Sequence, residues 1–429
     1  MGRENKAKII LLILSGFLFF GLISLFYIIF NSFEENITLS SLFYSLGKLA
    51  GLIGFLFLSI LIFSGETARF FDRFFGMDKI IKFQRKFALI TMIFVLLHPI
   101  FFMLSSKSVF NYLIPDFSVL PLSFGIISLY IFIIIMSASF LYKRISYKIW
   151  QYIHVLTYIL FFFSLYHAIK IGSDSNFFPI KLIYLFFLII IPMGIIYRTY
   201  YKLKQRLNKF IINEVRWENK EIFTLILKPN KKFNFKPGQF CFLRLNKDKL
   251  YARHPFTISS SPTDEDLHFT IKLSGRFTKS ASELKEGEEI IVEGPFGIFI
   301  PEEENIVLIS GGIGITPFIS MIKNNIKSEN KKNIVLFYCS KTKEDLIFKK
   351  ELDSINEKWF KKIYILSRDE SENCEKGRIN KDIIKKHLKS KDYTFYICGP
   401  EKMKDCMIRE LREIGVKQDR IKTESFFWK

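Results

Sequence analysis

The stretch QRKFALITMIFVLLHP, residues 84–99, decides how the first half of the chain folds. Basic residues precede an apolar run, 87–104, that is about long enough for a helix to cross ~30 Å of hydrocarbon. His98 lies near the far end of the run, where an ionisable group is costly and usually functional. Fourteen residues earlier stands Gln84, whose amide cannot do what a histidine could do at that position. The stretch therefore predicts a membrane helix with a functional histidine near one end.

Further apolar runs of the same kind predict six transmembrane helices in residues 1–207. Besides 87–104, these runs are 9–30, 42–63, 119–142, 150–170 and 179–197. The first is long, lacks a small-residue cleavage site and is followed by the other spans. We interpret it as a retained helix rather than a signal peptide.

The charge pattern supports a membrane location. The 429 residues contain 62 Lys+Arg and 41 Asp+Glu, a net charge of +21. In the first half the basic residues gather at the ends of apolar runs, which is typical of membrane proteins, and no nucleic-acid motif is present. The loops 31–41, 105–118 and 171–178 hold a single Lys between them. The positive-inside rule therefore predicts that both termini are in the cytoplasm. We expect a protein of the plasma membrane, embedded in lipid.

The second half has the pattern of soluble domains. Short alternating strands separated by Pro and Gly turns predict an antiparallel β-barrel over 208–302. Strands alternating with helical segments then predict a parallel α/β nucleotide-binding domain over 303–429. The five cysteines of the chain all lie in this half without a C-x-x-C pair. They indicate reduced thiols rather than disulfides, a zinc site or an iron–sulfur cluster.

Three of the six histidines, His98, His154 and His167, lie in the third and fifth predicted spans. Neutral imidazole is a common haem ligand, whereas the alternative is buried histidines bonded to backbone carbonyls. His98 and His167 lie toward the same membrane face and could bind one haem from two helices. His154 lies about 20 Å deeper, level with Gln84. His154 and His167 are thirteen residues apart, and a regular helix turns about 140° less than four full turns over that distance. It would therefore not place the two histidines on one face.

A candidate flavin site lies in RHPFTISS, residues 253–260. His254 would lie near a phosphate or the ring edge and Pro255 would fix the turn. Phe256 would contact the flavin, and the Thr257 hydroxyl would bind the N5/O4 edge. An ordinary strand end is the alternative interpretation.

Two glycine turns are candidates for binding pyrophosphate. Gly275 and Thr278 precede a short helix whose free N–H groups favour an anion. In VLISGGIGITPFISMI, residues 307–322, a strand, a glycine turn and a helix predict a dinucleotide site. Its candidate residues are Gly311, Gly312, Gly314, Thr316 and Pro317. A plain turn is the alternative for Gly275 and Thr278. A lone glycine turn would be weak evidence for the second motif, but the strand before it and the helix after it strengthen the prediction.

Two later strand ends complete the predicted nucleotide site. Ser367 and Arg368, assisted by Lys341, could hold a 2′-phosphate, which favours NADPH over NADH, although surface charge is the alternative. A Gly–Pro turn follows the last predicted strand, at the sheet edge where ligands of such sheets bind. Its candidate residues are Cys398, Gly399 and Pro400.

Taken in order, these motifs resemble the ferric reductase and NADPH oxidase superfamily. The matching elements are the histidines of spans three and five with WQYIHVLTY, then HPFT, GGIGITP, CGP and the closing ESFF. The resemblance covers nearly the whole chain. It implies a six-helix transmembrane haem bundle (1–207), an antiparallel β-barrel FAD domain (208–302) and an α/β parallel-sheet NAD(P)H domain (303–429).

The resemblance also implies haem ligands. His98 and His167 would bind an outer haem b, and His154 would belong to an inner haem. Two-haem members usually have histidine where this chain has Gln84. Other relatives, similar to the six-transmembrane metalloreductases, use a single outer haem. One outer haem is therefore expected, and an inner haem remains open.

For FAD and the nicotinamide nucleotide the resemblance implies the motif residues named above. Thr257 and Cys398 would lie at the reacting atoms. A C-terminal aromatic covers the flavin ring in such proteins, and Phe426 is the nearest match.

The implied activity is transmembrane electron transfer from NADPH, through FAD and haem, to an acceptor outside the cytoplasm. Oxygen, giving superoxide or peroxide, and ferric or cupric ions are the candidate acceptors. One alternative is a relay that donates electrons to an extracytoplasmic partner protein or to quinone. Another is a membrane-anchored flavin reductase whose haem path is broken at Gln84.

Overall fold

The computed structural model describes residues 38–106, 108–142, 144–206, 209–245, 253–388 and 392–424. The predicted span 9–30 and Phe426 lie outside these residues. The chain divides between Lys202 and Leu203 into two units.

The first unit consists of apolar helices. Among the described residues, five helices are long and apolar enough to cross a membrane. They are α1 (Leu39–Glu66), α3 (Met77–Ser105), α4 (Leu120–Phe140), α5 (Tyr147–Ile171) and α6 (Phe178–Arg206). A short helix, α2 (Ala68–Phe75), connects α1 to α3. These five helices match the last five predicted spans, and the count of six stays a prediction.

Helix α1 packs along α3, and α4 packs along α5. Small residues allow the first pair to approach closely, as is common between membrane helices. A Cβ at Gly47 would lie 3.0 Å from the Phe102 ring, and a Cβ at Gly54 would lie 3.3 Å from Val95. The α1–α3 spacing is therefore set by glycines.

The second unit begins with a six-stranded antiparallel sheet of order β4-β3-β6-β1-β2-β5. Its strands are β1 (Lys209–Trp217), β2 (Ile222–Lys228), β3 (Phe240–Leu245), β4 (His254–Thr257), β5 (Leu267–Lys272) and β6 (Glu289–Phe296). Ile258, just after β4, forms a bridge with Phe269 of β5, so the sheet curls until its two edges meet. Helix α7 (Arg276–Ser282) packs its Phe277 and Ala281 against the enclosed core.

A parallel sheet of order β10-β9-β8-β7-β11-β12 follows. Its strands are β7 (Asn305–Gly311), β8 (Asn333–Ser340), β9 (Phe360–Leu366), β10 (Cys374–Lys376), β11 (Thr394–Cys398) and β12 (Ile421–Glu424). The helices around it are α8 (Thr316–Lys327), α9 (Lys349–Ser354), α10 (Lys381–His387) and α11 (Glu401–Glu413). Apolar clusters cover both faces, as a parallel sheet requires.

The order of this sheet reverses at β7, since β8 lies on one side of it and β11 on the other. Open α/β sheets bind ligands outside the carboxyl ends of their strands at such a point. The glycine turn follows β7 and the Gly–Pro turn follows β11. Both predicted nucleotide motifs therefore meet at one edge of the sheet.

Candidate functional site

The imidazole rings of His98 on α3 and His167 on α5 face each other. Their centroids are 6.0 Å apart and their planes are nearly perpendicular. His98 Nδ1 lies 2.9 Å from the carbonyl oxygen of Gly47, and His167 Nδ1 lies 2.9 Å from that of Pro121. A carbonyl can only accept, so each Nδ1 carries the proton and donates it. Each neutral ring therefore has its lone pair on Nε2, the atom that is left to bind a metal.

Glycines lie directly behind both rings. A Cβ at Gly51 would lie 2.5 Å from His98 Nδ1, and a Cβ at Gly125 would lie 2.4 Å from His167 Nδ1. Real Cβ atoms essentially never approach so closely. Any larger residue would therefore displace the ring. In the sequence, Gly51 and Gly125 are simply glycines within apolar helices. That pattern does not predict which side chain packs against them.

His154 and Gln84 do not form a comparable pair. His154 Nδ1 donates to the carbonyl of Trp150 in its own helix, and its Nε2 lies 3.4 Å from the Ser139 hydroxyl of α4. Its ring lies over Trp150, with centroids 3.8 Å apart. Gln84 instead donates through Nε2 to the Ser64 hydroxyl of α1, at 3.2 Å. The two side chains thus contact different helices.

A buried charged cluster joins three helices of the first unit. The Arg198 guanidinium of α6 donates to Glu66 Oε1 of α1 at 2.7 Å, and the Tyr158 hydroxyl of α5 donates to the same oxygen at 2.9 Å. Glu66 is 3% exposed, and its Oε2 has no hydrogen-bond partner among the described residues. A Cβ at Gly194 would lie 2.9 Å from the Glu66 Cβ. No local sequence pattern predicts this cluster, because its members are far apart in the chain.

In the curled sheet, the HPFT motif forms β4. Thr257 is buried, and its hydroxyl has no hydrogen-bond partner among the described residues. The rings of His254 and Phe256 both lie against Phe277 of α7, at centroid distances of 4.1 and 5.7 Å. Burial lowers the pKa of His254, so its imidazole is neutral at pH 7. The motif therefore provides an aromatic surface beside an unsatisfied hydroxyl.

Gly275 and Thr278 form the turn that starts α7. Gly275 has a φ of +144°, which favours glycine. The Thr278 hydroxyl accepts from Ser274 N at 2.8 Å and donates to Gly275 O at 3.0 Å. Both hydrogen bonds of this hydroxyl are to backbone atoms of the same turn, so it stabilises the turn.

The glycines after β7 have different surroundings. A Cβ at Gly314 would lie 2.3 Å from the carbonyl oxygen of Cys398, and one at Gly311 would lie 2.8 Å from Pro400. Gly312, with a φ of +54°, has nothing near its Cβ position. Gly311 and Gly314 therefore allow the two turns to pack together, while Gly312 is the open position.

Other predicted residues lie around this pair of turns. Thr316 and Pro317 are buried at the start of α8, where the Thr316 hydroxyl donates to Ile313 O at 3.2 Å. Cys398 is fully buried, and burial raises the pKa of its thiol well above the usual range. Gly399 lies against Gly311, since a Cβ there would be 3.0 Å from Gly311 N. At the carboxyl end of β11, Cys398 is thus a neutral thiol.

Ser367 and Arg368 follow β9 with exposed side chains. Their backbone N–H groups donate to Ser340 O and Lys341 O, at 3.0 and 2.9 Å, which ties them to the end of β8. No ion pair or hydrogen bond of the Arg368 side chain is found in the described part of the chain. The guanidinium is therefore available to an anion.

Comparison with known families reproduces this order of domains. The model described as ferric reductase like transmembrane component matches residues 50–165. An FAD-binding domain model matches 207–299, and an oxidoreductase NAD-binding domain model matches 308–408. Membrane helices followed by FAD-binding and NAD-binding domains define a membrane-bound NAD(P)H oxidoreductase. The chain belongs to the ferric reductase and NADPH oxidase superfamily, which confirms the resemblance seen in its motifs.

Several curated relatives match about half of the chain. Sulfhydrogenase 2 subunit gamma of Pyrococcus furiosus is 30% identical over 47% of this chain and 76% of its own length. NADH-cytochrome b5 reductase 1 of Dictyostelium discoideum is 32% identical over 52% of this chain and 81% of its own length. The Bacillus subtilis flavohemoprotein is 25% identical over 51% of this chain, which spans only 58% of that relative. These similarities support an oxidoreductase.

Proposed function

We propose that the chain is a transmembrane reductase that takes electrons from NADPH and delivers them through a single haem to an acceptor outside the cytoplasm. Oxygen and ferric or cupric ions are the proposed acceptors. The observation that carries the proposal is the opposed pair His98 and His167. When bound, the nicotinamide and flavin supply hydride chemistry, and haem supplies the one-electron chemistry that a membrane crossing needs.

The His98–His167 pair fits haem. Two imidazoles that bind one metal at about 2 Å place their ring centroids about 6 Å apart, as observed. Among the described residues, no group of three or more His, Cys, Asp or Glu could hold a metal ion. A porphyrin would supply the remaining nitrogens. The carbonyls of Gly47 and Pro121 fix each ring and its tautomer, which is the usual support of a metal-binding imidazole.

The inner level does not fit a second haem held by His154 and residue 84. Gln84 is engaged with Ser64, and the His154 ring lies over Trp150 beside Ser139. We therefore propose one haem per chain. His154 then has a packing role in α5.

The second unit fits FAD and a nicotinamide nucleotide. The buried Thr257 hydroxyl needs a partner, which a flavin edge would provide. Phe256 and His254 would lie beside the flavin. The open turn at Gly312 would accept the pyrophosphate of the nucleotide. Arg368 and Ser367 would bind its 2′-phosphate, so NADPH is favoured over NADH.

We also propose the orientation that the basic loops indicate, with six helices and both termini in the cytoplasm of the cell. Both NADPH and FAD would then bind in the cytoplasm. The three-domain division at 207 and 302 is part of the same proposal. The second sheet starts at Asn305, after β6 ends at Phe296, so a boundary near 302 lies between the two sheets.

Haem content tests the proposal. Purified wild type and the variants His98→Ala, His154→Ala and His167→Ala would be compared by haem per chain and by the reduced spectrum. We expect one haem per chain, lost in the first and third variants and retained in the second. Equal losses in all three would show that His154 also holds haem. Absence of both haem and flavin from the wild type would refute the proposal.

The acceptor needs a separate experiment. A superoxide burst on NADPH addition that dismutase removes would assign oxygen. Reduction of ferric or cupric ions that persists without oxygen would assign the metal. Negligible turnover with either, together with a co-purified extracytoplasmic protein or turnover with quinone, would favour the relay.

A further inference from the structure

One face of α3 changes character along its length. The exposed residues Lys79, Lys82, Phe83 and Lys86 occupy its first turns. The exposed residues Leu89, Ile90, Ile93, Ile100 and Leu104 continue toward the other end. At 3.6 residues per turn, all of these lie within about 60° of the direction of Lys86. A single stripe therefore begins cationic and becomes apolar.

The apolar part of the stripe has the length of a membrane interior. Lys86 and Leu104 are separated by eighteen residues, about 27 Å of helix, against ~30 Å for the hydrocarbon core. Ile93 and Leu104 are 53% and 55% exposed in the first unit, as lipid-facing residues would be. This places Lys86 at the hydrocarbon boundary. Lys82 and Lys79 then follow about 6 and 10 Å farther out, through the headgroup layer.

Basic residues outnumber acidic ones at the start of α3. Asp78 is the only acidic residue in α3, which contains Lys79, Lys82 and Lys86 on the stripe and Arg85 beside it. In the described part of the chain none of the three lysines forms an ion pair. Flexible lysine stems can bring their ammonium groups to the phosphate level.

We propose that Lys79, Lys82 and Lys86 form a binding site for anionic phospholipid headgroups on the α3 stripe. Clusters of basic residues next to a membrane helix attract anionic lipid. A second copy of the chain packed on this face would place its own lysines against these three, and like charges repel. An anionic lipid has the complementary charge, and its acyl chains match the apolar continuation of the same stripe.

Lipid selectivity tests this site. The full chain would be reconstituted in phosphatidylcholine vesicles with trace spin-labelled phosphatidylglycerol or phosphatidylcholine, and the immobilised fraction of each label measured. We expect the anionic label to be retained at least about fivefold over the neutral one at low salt, which is the factor for a single lysine near the membrane surface. Raising the salt concentration weakens the preference. In the variant Lys79→Gln/Lys82→Gln/Lys86→Gln the preference is lost.

A matched control is Lys170→Gln/Lys181→Gln, two exposed lysines at other helix ends. It keeps the preference for the anionic label. Haem and flavin content confirm that both variants are folded, and the result does not depend on which acceptor the protein uses. Equal preference in wild type and the triple variant, or equal loss in the control, overturns the proposal. So does a wild-type dimer that the triple variant converts to a monomer, since a second copy would then cover the face.

Discussion

Substitution of Gly51 by alanine should release haem without unfolding the bundle. The new Cβ would lie 2.5 Å from His98 Nδ1, whereas ordinary contacts begin at 3.4 Å. The ring must therefore move by about 0.9 Å, starting from a 2.9 Å hydrogen bond to Gly47 O. Loss of such a supporting bond typically costs 10–100-fold in metal affinity. We expect a haem affinity reduced by about that factor.

The effect on folding should be smaller. Overpacking costs about 1–3 kcal/mol, and replacing glycine by alanine in a helix returns about 1 kcal/mol. Gly65→Ala is the control on the same helix, since the nearest atom to its Cβ would be Gln84 Nε2 at 3.9 Å. It should keep haem and be as stable as wild type or more so.

The assay is haem per chain during titration with hemin, together with the reduced spectrum and the helix content by circular dichroism. Gly125→Ala should behave like Gly51→Ala, because its Cβ would lie 2.4 Å from His167 Nδ1. If Gly51→Ala bound haem as tightly as Gly65→Ala, with an unchanged spectrum, the inference that these glycines hold the ligand geometry would be refuted.

Four further outcomes are expected. Thr257→Val should lower FAD affinity about tenfold in a flavin titration, while Thr257→Ser keeps it, because the buried hydroxyl would lose its flavin partner. Arg368→Ala should raise the KM for NADPH tenfold or more and leave the KM for NADH unchanged; equal changes would exclude 2′-phosphate binding. Glu66→Ala should destabilise the first unit by about 1–3 kcal/mol in thermal unfolding, a figure reduced because Arg198 is a third exposed. Burial lowers the pKa of His268 to about 4, so as the pH falls below 6.5 the unfolded chain binds a proton before the folded chain does. The free energy of unfolding of the second unit should therefore fall by about 2 kcal/mol by pH 5. In urea unfolding, His268→Gln should remove that pH dependence.

Much of the fold was predictable because it depends on local pattern. Apolar length alone located the five described membrane helices. The start of α3 at Met77, ten residues before the predicted 87, was missed, because its first turns are charged yet still favour helix. Strand, glycine turn and helix in sequence predicted the parallel sheet at β7. The connecting helix α2 was missed, since its eight residues give too short a pattern.

The candidate sites were predictable only in part. Position along two helices predicted that His98 and His167 lie at one level, and the structure places their rings 6.0 Å apart. Their role as ligands stays a prediction. The Glu66–Tyr158–Arg198 cluster joins residues 92 and 132 positions apart, which no local pattern can connect. The sequence assigned all the glycines of the turn after β7 to nucleotide binding. Gly314 instead packs on Cys398, so a glycine is needed there for packing within the protein.

Both ring anchors at the candidate haem site are backbone atoms. The acceptors of His98 and His167 are the carbonyl oxygens of Gly47 and Pro121, which every amino acid possesses. Substitutions at those two positions cannot delete the acceptor; they can only crowd or shift it. The site should therefore tolerate substitutions that change the chemistry of a side chain, but not substitutions that make a side chain larger. In random mutagenesis of α1 and α4, the inactive variants should therefore be mainly those in which Gly51 or Gly125 is replaced by a larger residue.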